Sequence, residues 1–549
     1  MNGCYLICAA IAIVCGGVLA QPVEPVLFEV DHPETFDPAK AGWTCVFEDE
    51  FKGTVLDTNK WYRPHFARTG RQEVVPDGEG HLVFHVKKNE KGKIPATYIY
   101  SVPEYEYGYF EARVKFTDKA GWWAASWVHG GSKENPFLDG MEIDTFEDFY
   151  TRLPEEHPLH NRMAHSLHAK IGDYGSSFQL HSTPPEPLDD YHVIACKWDP
   201  LGLTFYLDGS RVGGYSAFNN VTCIRPLHAV LSAEPSSRGD GWLGGLGKKG
   251  IEEGRYEIDW VRIWQDPEAG RDAPEVVLSA TDDRTVVSPG SAVEFSVAAQ
   301  SPRTDDPVAA VYLFDNGYLV DRSVEGPYRF RVPMTEEHFL LTNYGRFMGR
   351  LGGKKGVSHP PFDAYPHVFV AFARTRSGKV SHSKSLIRIP TAMPVPAAYG
   401  DAAQAIPGRI EAWKFDVGGQ GNAYYRLRGK KFCQKGERPR PDEGVDCSRK
   451  WVGVTYAGEW INYTVDVARA GKYAATMDYG SPLMSANEVE LLVDGRRAGA
   501  FPVTAERYHA FSPSRRSTAE VELPEGRHVL TVVFKSQLGF GGLEFAAVE

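Results

Sequence analysis

The stretch "DGMEIDTFEDFY" (139–150) places Glu142, Asp144 and Glu147 within six positions. A regular strand alternates faces, so Glu142 and Asp144 would point one way and Glu147 the other. A single β-bulge near Thr145 and Phe146 adds one residue and shifts that alternation. All three acids then project from one face, and Phe146 turns to the opposite one. The spacing therefore predicts a bulged strand across 142–147. Two plainer readings exist for three close acids: a solvated strand face, or a site for a hard cation such as calcium.

The surroundings are not those of a solvated face. Upstream lies "GWWAASWVHGG" (121–131), with Trp122, Trp123 and Trp127, and downstream "MAHSLHAK" (163–170). An indole presents a large apolar face with one polar N–H, a surface on which sugar rings stack while their hydroxyls find polar partners. Alternation lets Trp123 and Trp127 share a face, with Trp122 on the other. Of the two, Trp123 is favoured for stacking on a sugar. Glycoside hydrolysis needs one ionised carboxylate and one protonated acid flanking the scissile bond. Acids beside tryptophans on a broad sheet fit a groove for a polysaccharide. Glu111 and Arg113 are expected to form a structural ion pair.

The rest of the 549-residue chain supports a β-rich reading, with 55 glycines, 37 prolines and 12% aromatics. Short alternating runs separated by turn residues, such as "HLVFHVKK" (81–88) and "YEIDWVRIW" (256–264), fill residues 43 to 265. In "FYLDGSRVGGYS" (205–216), Asp208-Gly209 supplies the positive-φ pair of a hairpin turn. A large antiparallel sandwich is expected there. The linker "DPEAGRDAP" (266–274) precedes a second β region, and the Ala/Pro-rich "AMPVPAAYGDAAQAIPG" (392–408) precedes a third. The expected organisation is a signal at 1–20, a first domain at 21–268, a second at 272–391, a linker at 392–408 and a last domain at 409–549. The fold class is all-β, three sandwiches in series.

A formal charge of −11 argues against nucleic acid as partner, since no basic surplus is present to neutralise phosphates. The apolar run 1–20, ending Val18-Leu19-Ala20, reads as a secretory signal cleaved before Gln21, although its start offers no Lys or Arg. The expectation is a secreted protein, extracellular or periplasmic, with no membrane insertion after signal removal, and a monomer. After removal five cysteines remain, of which Cys433 and Cys447 flank a polar loop and make the favoured pair in an oxidising compartment. No cysteine spacing resembles a zinc site.

The sequence resembles glycoside hydrolase family 16, the β-jelly-roll endo-glycanases, over residues 43 to 265. "EIDTFE" (142–147) matches the family's bulged E-x-D-x-x-E at every defined position. "FEDEFKGTVLDTNKW" (47–61), "EYGYFEARVKF" (106–116), "YHVIACKWDPLGLTFYLDG" (191–209) and "IDWVRIWQ" (258–265) resemble its other blocks, in order. "GWWAASW" (121–127) is similar to G-x-W-P-A-x-W, with Ala124 in place of the usual proline. The resemblance implies a retaining mechanism, with Glu142 as nucleophile, Asp144 as its electrostatic support and Glu147 as general acid/base. Spacing does not show this, because four paired strand positions span roughly 13 Å, against the about 5–5.5 Å between carboxyls in retaining enzymes. His168 matches a histidine that many members carry near the cleaved sugar.

"VAAVYLFDNGYLVDRSVEGPYRFRV" (308–332) resembles immunoglobulin-like spacer modules, and no acid pair, metal spacing or aromatic cluster marks it as a site. "VGVTYAGEWINYTVDVARAGKYAATMDY" (452–479) and "VELPEGRHVLTVVF" (521–534) resemble family 6 carbohydrate-binding modules. That resemblance implies a sugar held between two aromatics, for which Tyr456 and Tyr508 are the candidates. Trp413 stands where such modules carry a calcium-binding acid, and "GFGGLEF" (539–545) has glycine where a cleft asparagine is common. No cofactor is expected to be required, and Trp413 weighs against a structural Ca2+. The leading expectation is endo-cleavage of a β-linked polysaccharide, β-1,3-glucan first. A red-algal galactan (agar or porphyran type), a transglycosylase and a non-catalytic lectin-like binder are the alternatives.

Overall fold

The computed structural model describes residues 32–548 apart from 64–73, 87–96, 118, 120–121, 131–136, 139, 149–154, 156–159, 172–173, 201, 217–222, 236–252, 289, 336–337, 339–365, 391–396, 427–436, 482–486 and 505–510. The expected signal, Cys433 and Tyr508 therefore lie outside the described residues.

The fold is all-β. The first unit contains β1 (Thr44–Asp49), β2 (Trp61–Tyr62), β3 (Val74–Pro76), β4 (Leu82–Val86) and β5 (Thr97–Tyr105). It continues with β6 (Gly108–Lys115), β7 (Trp122–His129), β8 (Glu142–Glu147), β9 (Met163–Ile171) and β10 (Tyr174–Ser182). β11 (Tyr191–Asp199), β12 (Gly202–Leu207), β13 (Ser210–Ser216), β14 (Leu227–Pro235) and β15 (Gly254–Gln265) complete it. One sheet runs β13-β12-β11-β6-β15-β4-β3, with β1 on β15; the other runs β10-β9-β8-β7-β14-β5-β2. Asp208 (φ 48°) and Gly209 (φ 77°) make the β12–β13 turn, both in the left-handed region that "DG" supplies.

Alternation decides which side chains fill the space between the sheets. Phe110, Ala112 and Val114 of β6 meet Trp122, Ala124 and Val128 of β7 and Ile143 and Phe146 of β8 in one buried cluster. The opposite face of the β10-to-β2 sheet is left to carry the polar residues of β7, β8 and β9. Glu111 and Arg113 do not pair with each other. Glu111 accepts from the Trp264 indole N–H at 2.7 Å, and Arg113 pairs with Asp259. Both residues are on β6, two positions apart, and each finds its partner on the adjacent strand β15.

The middle unit packs a three-stranded sheet (Glu275–Ala280, Ala292–Gln300, Tyr328–Pro333) on a six-stranded one that includes Val308–Asp315 and His367–Thr375. The last unit packs six strands on four. Gln404–Ile406, inside the expected linker, pairs in parallel with Val465, Asp466 and Val467 of the last unit's sheet. The units are not beads on a string. Val311, Leu313, Phe369 and Ala371 fill the middle unit's own core. The alternate residues Tyr312, Phe314, Val368, Val370 and Phe372 pack outward, in one cluster with Phe137, Leu138 and Ile224 of the first unit and Tyr425, Trp460 and Val533 of the last. A sheet buried on both faces needs apolar residues at every position, as "HVFVAFA" (367–373) provides.

Candidate active site

The bulge is where the spacing places it. β8 pairs with β7 through His129↔Glu142, Val128↔Ile143 and Trp127↔Asp144, then resumes at Ser126↔Phe146 and Ala125↔Glu147. Thr145 is the extra residue, with no partner on β7. On the other side β9 shows the matching shift between Asp144 and Glu147. Ile143 and Phe146 point into the core. Glu142, Asp144 and Glu147 are thereby brought together on the outer face.

A buried histidine fixes the bulge. His165 on β9 has Nδ1 2.6 Å from the Thr145 carbonyl and Nε2 2.8 Å from Ser182 Oγ. Burial pushes its pKa down to about 4, so the ring is neutral. The carbonyl can only accept, so Nδ1–H donates to it and Nε2 accepts from Ser182. The bulge carbonyl, left without a ladder partner, is satisfied this way.

On the open face each acid has distinct neighbours. Glu147 is 4% exposed; its Oε1 accepts from the Trp123 indole N–H at 2.9 Å and its Oε2 from the Ser166 hydroxyl at 2.8 Å. Gln179 donates to that hydroxyl at 3.2 Å. Burial first, then the charge of Asp144 and to a smaller degree that of Glu142, push the Glu147 carboxyl up to about 8, against the opposing Ser166 bond and His168. It therefore carries a proton at neutral pH. His168 Nε2 stands 3.1 Å from Asp144 Oδ2 and 3.8 Å from Glu142 Oε1. His129 Nε2 stands 3.9 Å from Glu142 Oε2. Glu142, Asp144 and His168 offer ligand atoms within 4.8 Å of one another, close enough to hold one cation.

Aromatic rings extend the face beside the acids. Trp127 donates its indole N–H to Ser232 at 3.1 Å and meets Tyr98, Tyr100 and His129 edge-on or tilted at 6.2, 6.0 and 5.2 Å between ring centres. Trp123 and Trp127 share the open face while Trp122 is buried in the core, as alternation requires. Trp123 is held by the acid it was expected to sit beside, which fixes the plane it offers to a ligand. Tyr456, in the last unit, is half-buried against the cluster shared by the three units. Trp413 packs against Tyr399 at 5.4 Å with Lys414 and Arg449 over its ring, an arrangement that offers no ligand oxygen of its own. Cys447 is buried and forms no disulfide among the described residues.

Sequence reasoning missed His129, His165 and Ser166. Two of them follow from a signal already in use. His129 has the parity of Trp123 and Trp127 on β7, and Ser166 has that of His168 on β9. His165 has the core-facing parity, and only the pairing register shows that its ring meets the bulge.

The fold and the site define a class, a two-sheet β-sandwich whose open face presents an ionisable carboxylate pair beside a protonated one. Residues 63–262 match the family model described as "Glycosyl hydrolases family 16", and this segment is a domain of that family. The chain is 21% identical over 214 residues to a β-glucanase of Acetivibrio thermocellus, an alignment covering 37% of this chain and 58% of the relative. The chain thus spans under two thirds of that relative's length. It is 28% identical over 213 residues to β-porphyranase E of Zobellia galactanivorans, covering 34% of this chain and 75% of the other. Among solved structures, the laminarinase catalytic domain of Thermotoga maritima is similar at 22% identity, TM-score 0.33, covering 41% of this chain and 98% of that one.

Proposed function

We propose that the protein is a secreted, endo-acting, retaining glycoside hydrolase of a β-linked polysaccharide. The observation that carries this is one open sheet face with three carboxyls, one of them held protonated by burial and by its charged neighbours. Glu147 donates its proton to the departing glycosidic oxygen while Glu142 attacks the anomeric carbon. Asp144 sits between them, bound to His168, and keeps negative charge beside the nucleophile. Once Glu142 is esterified its charge is gone, Glu147 ionises more readily, and it takes a proton from the water that releases the sugar. Trp123 and Trp127 provide the walls on which rings stack, and His129 and His168 reach the hydroxyls of the sugar nearest Glu142.

β-1,3-Glucan is the proposed substrate. A red-algal galactan is the second reading, favoured by the 28% identity to a protein named for porphyran. The last unit is proposed to bind polysaccharide, and the middle unit to act as a bracket that fixes it against the first. The protein is proposed to work as a monomer without a required cofactor. A panel of laminarin, mixed-linkage glucan, agarose and porphyran, with products sized over time, tests the reading. Early release of mid-sized oligosaccharides from laminarin supports it. Release from porphyran or agarose alone replaces glucan by galactan, larger products indicate transglycosylation, and binding without cleavage overturns hydrolysis.

A further inference from the structure

A second histidine–carboxylate cluster lies in the middle unit, apart from the proposed active site. Asp315 ends the strand Val308–Asp315 and opens a two-residue turn through Asn316 (φ 47°) and Gly317 (φ 79°). His367 begins the strand His367–Thr375 that pairs with it. His338 comes to the same point from 23 positions along the chain, and His367 from 52. Asp315 Oδ2 is 2.8 Å from His338 Nε2 and 2.5 Å from His367 Nδ1. The two imidazoles stack at 5.5 Å between centres. Asp315 is fully buried, and both histidines are nearly so.

The second oxygen has no such partner. Asp315 Oδ1 is buried and makes no hydrogen bond among the described residues. A buried carboxylate oxygen without a donor is costly, the more so when the group is charged. One ligand atom from each of the three residues lies within 4.8 Å of the others. We propose that Asp315, His338 and His367 are a site for one transition-metal dication, Zn2+ best of all, which clamps the middle unit. Two imidazole nitrogens and one carboxylate oxygen are a zinc or cobalt donor set. Calcium and magnesium require more oxygens than the cluster has. In a tetrahedral zinc site neighbouring ligand atoms stand about 3.3 Å apart, given bonds near 2.0–2.1 Å. Loading therefore lengthens the two Asp315–histidine distances, now 2.8 and 2.5 Å, by roughly 0.5 to 0.8 Å, and each ring keeps its remaining proton on the nitrogen away from the metal. The clamp joins the turn after one strand to the start of the next. The residues that follow His367, namely Val368, Val370 and Phe372, form the apolar cluster shared by all three units. The bound ion would thus steady the sheet on which the first and last units rest.

The test uses the full chain without a histidine tag, stripped with chelator and titrated with ZnCl2 and CoCl2. One equivalent should bind by calorimetry and elemental analysis, Co2+ should give the visible bands of a four-coordinate site, and zinc should raise the melting temperature. Asp315→Asn and His338→Ala should each weaken binding by about tenfold or more. His168→Ala, which removes the other group of possible ligands, should keep the full equivalent. Binding of no ion, full binding in both middle-unit variants, or loss of the ion in His168→Ala each overturns the proposal. If the middle-unit variants do not fold, the decision rests on folded chains: one equivalent, cobalt bands and a melting shift in both the wild type and His168→Ala support the site, and the absence of any of them sinks it.

Discussion

Glu147 on β8 and Asp315 in the middle unit are both buried carboxylates within reach of histidine, yet their neighbours drive them in opposite directions. Around Glu147, burial and the charges of Asp144 and Glu142 push the carboxyl up to about 8. Around Asp315, burial also opposes ionisation, but His367 and His338 outweigh it and hold the carboxyl below its usual range. Burial sets the cost of charge, and the nearest charges and hydrogen bonds decide whether that cost is met. The first arrangement keeps a proton at neutral pH, and the second stays an anion. Access separates them further. The β8 acids open on a face lined with tryptophan, while the Asp315 cluster is enclosed.

If the β8 face is the reactive one, the largest effect belongs to its nucleophile. Glu142→Gln should lower turnover by roughly a thousandfold or more, as loss of a covalent nucleophile does, with polysaccharide binding retained. Rates measured on protein free of wild-type contamination decide this, and substantial residual activity would reject Glu142. Asp315→Asn should leave turnover on a soluble substrate near wild type. A comparable loss in both variants would erase the contrast.

Removing the proposed proton donor should come next. Glu147→Ala should lose about 10²–10⁴-fold on natural linkages and far less on an activated aryl glycoside, whose leaving group needs little protonation. Added azide should restore part of the rate by replacing the activated water. Equal losses on both substrates with no rescue would count against Glu147. The wild type should also lose kcat/KM as pH rises through about 8, because the acid form of Glu147 exists below that value. A linkage follows with the same sign. Between the ordinary carboxyl range and about 8 the folded state holds a proton that the unfolded chain has released, so this group makes stability fall as pH rises across that window.

The bulge lock should be a smaller, separable effect. His165→Phe leaves the Thr145 carbonyl and the Ser182 hydroxyl without their ring partner. That should cost roughly 1–3 kcal/mol of stability, read as a lower melting temperature. Because the bulge aligns Glu147 with Glu142 and Asp144, kcat should fall about tenfold or more while KM changes little. His165→Gln, whose amide can still donate to the carbonyl, should recover part of the loss. A fall in stability with kcat intact would make His165 merely structural.

The reach of sequence reasoning follows the range of the interactions. The bulged strand was legible in 142–147 because an alternating pattern exposes a one-residue insertion directly. The Trp122/Trp123 split followed from the same rule. The same rule extended by two residues would have reached His129 and Ser166. Asp315, His338 and His367 carry no such pattern, since 23 and 52 positions separate them and only strand pairing unites them. The packing of the three units against each other had a local sign that went unread. "HVFVAFA" (367–373) never alternates, which is what burial on both faces demands.

The finest test of the contrast acts on one hydrogen bond. Ser166 donates to Glu147 Oε2 and is among the few neighbours that favour its ionised form. Ser166→Ala removes that donor and leaves burial and the two like charges in place, so the Glu147 carboxyl should become harder to ionise. The alkaline limb of kcat/KM should then move to higher pH. A hydrogen bond to a charged group contributes about 1.5–3 kcal/mol in gross terms, and one unit corresponds to about 1.4 kcal/mol. Rehydration of the vacated space returns part of this, so the shift should be about one unit at most. The acid limb should barely move, because Ser166 does not touch Glu142 in the bonds that hold the site. A limb displaced to lower pH would mean that Ser166 holds the protonated form instead. A limb that stays in place would mean that another group governs it, and Glu147 would lose its role as the titrating acid.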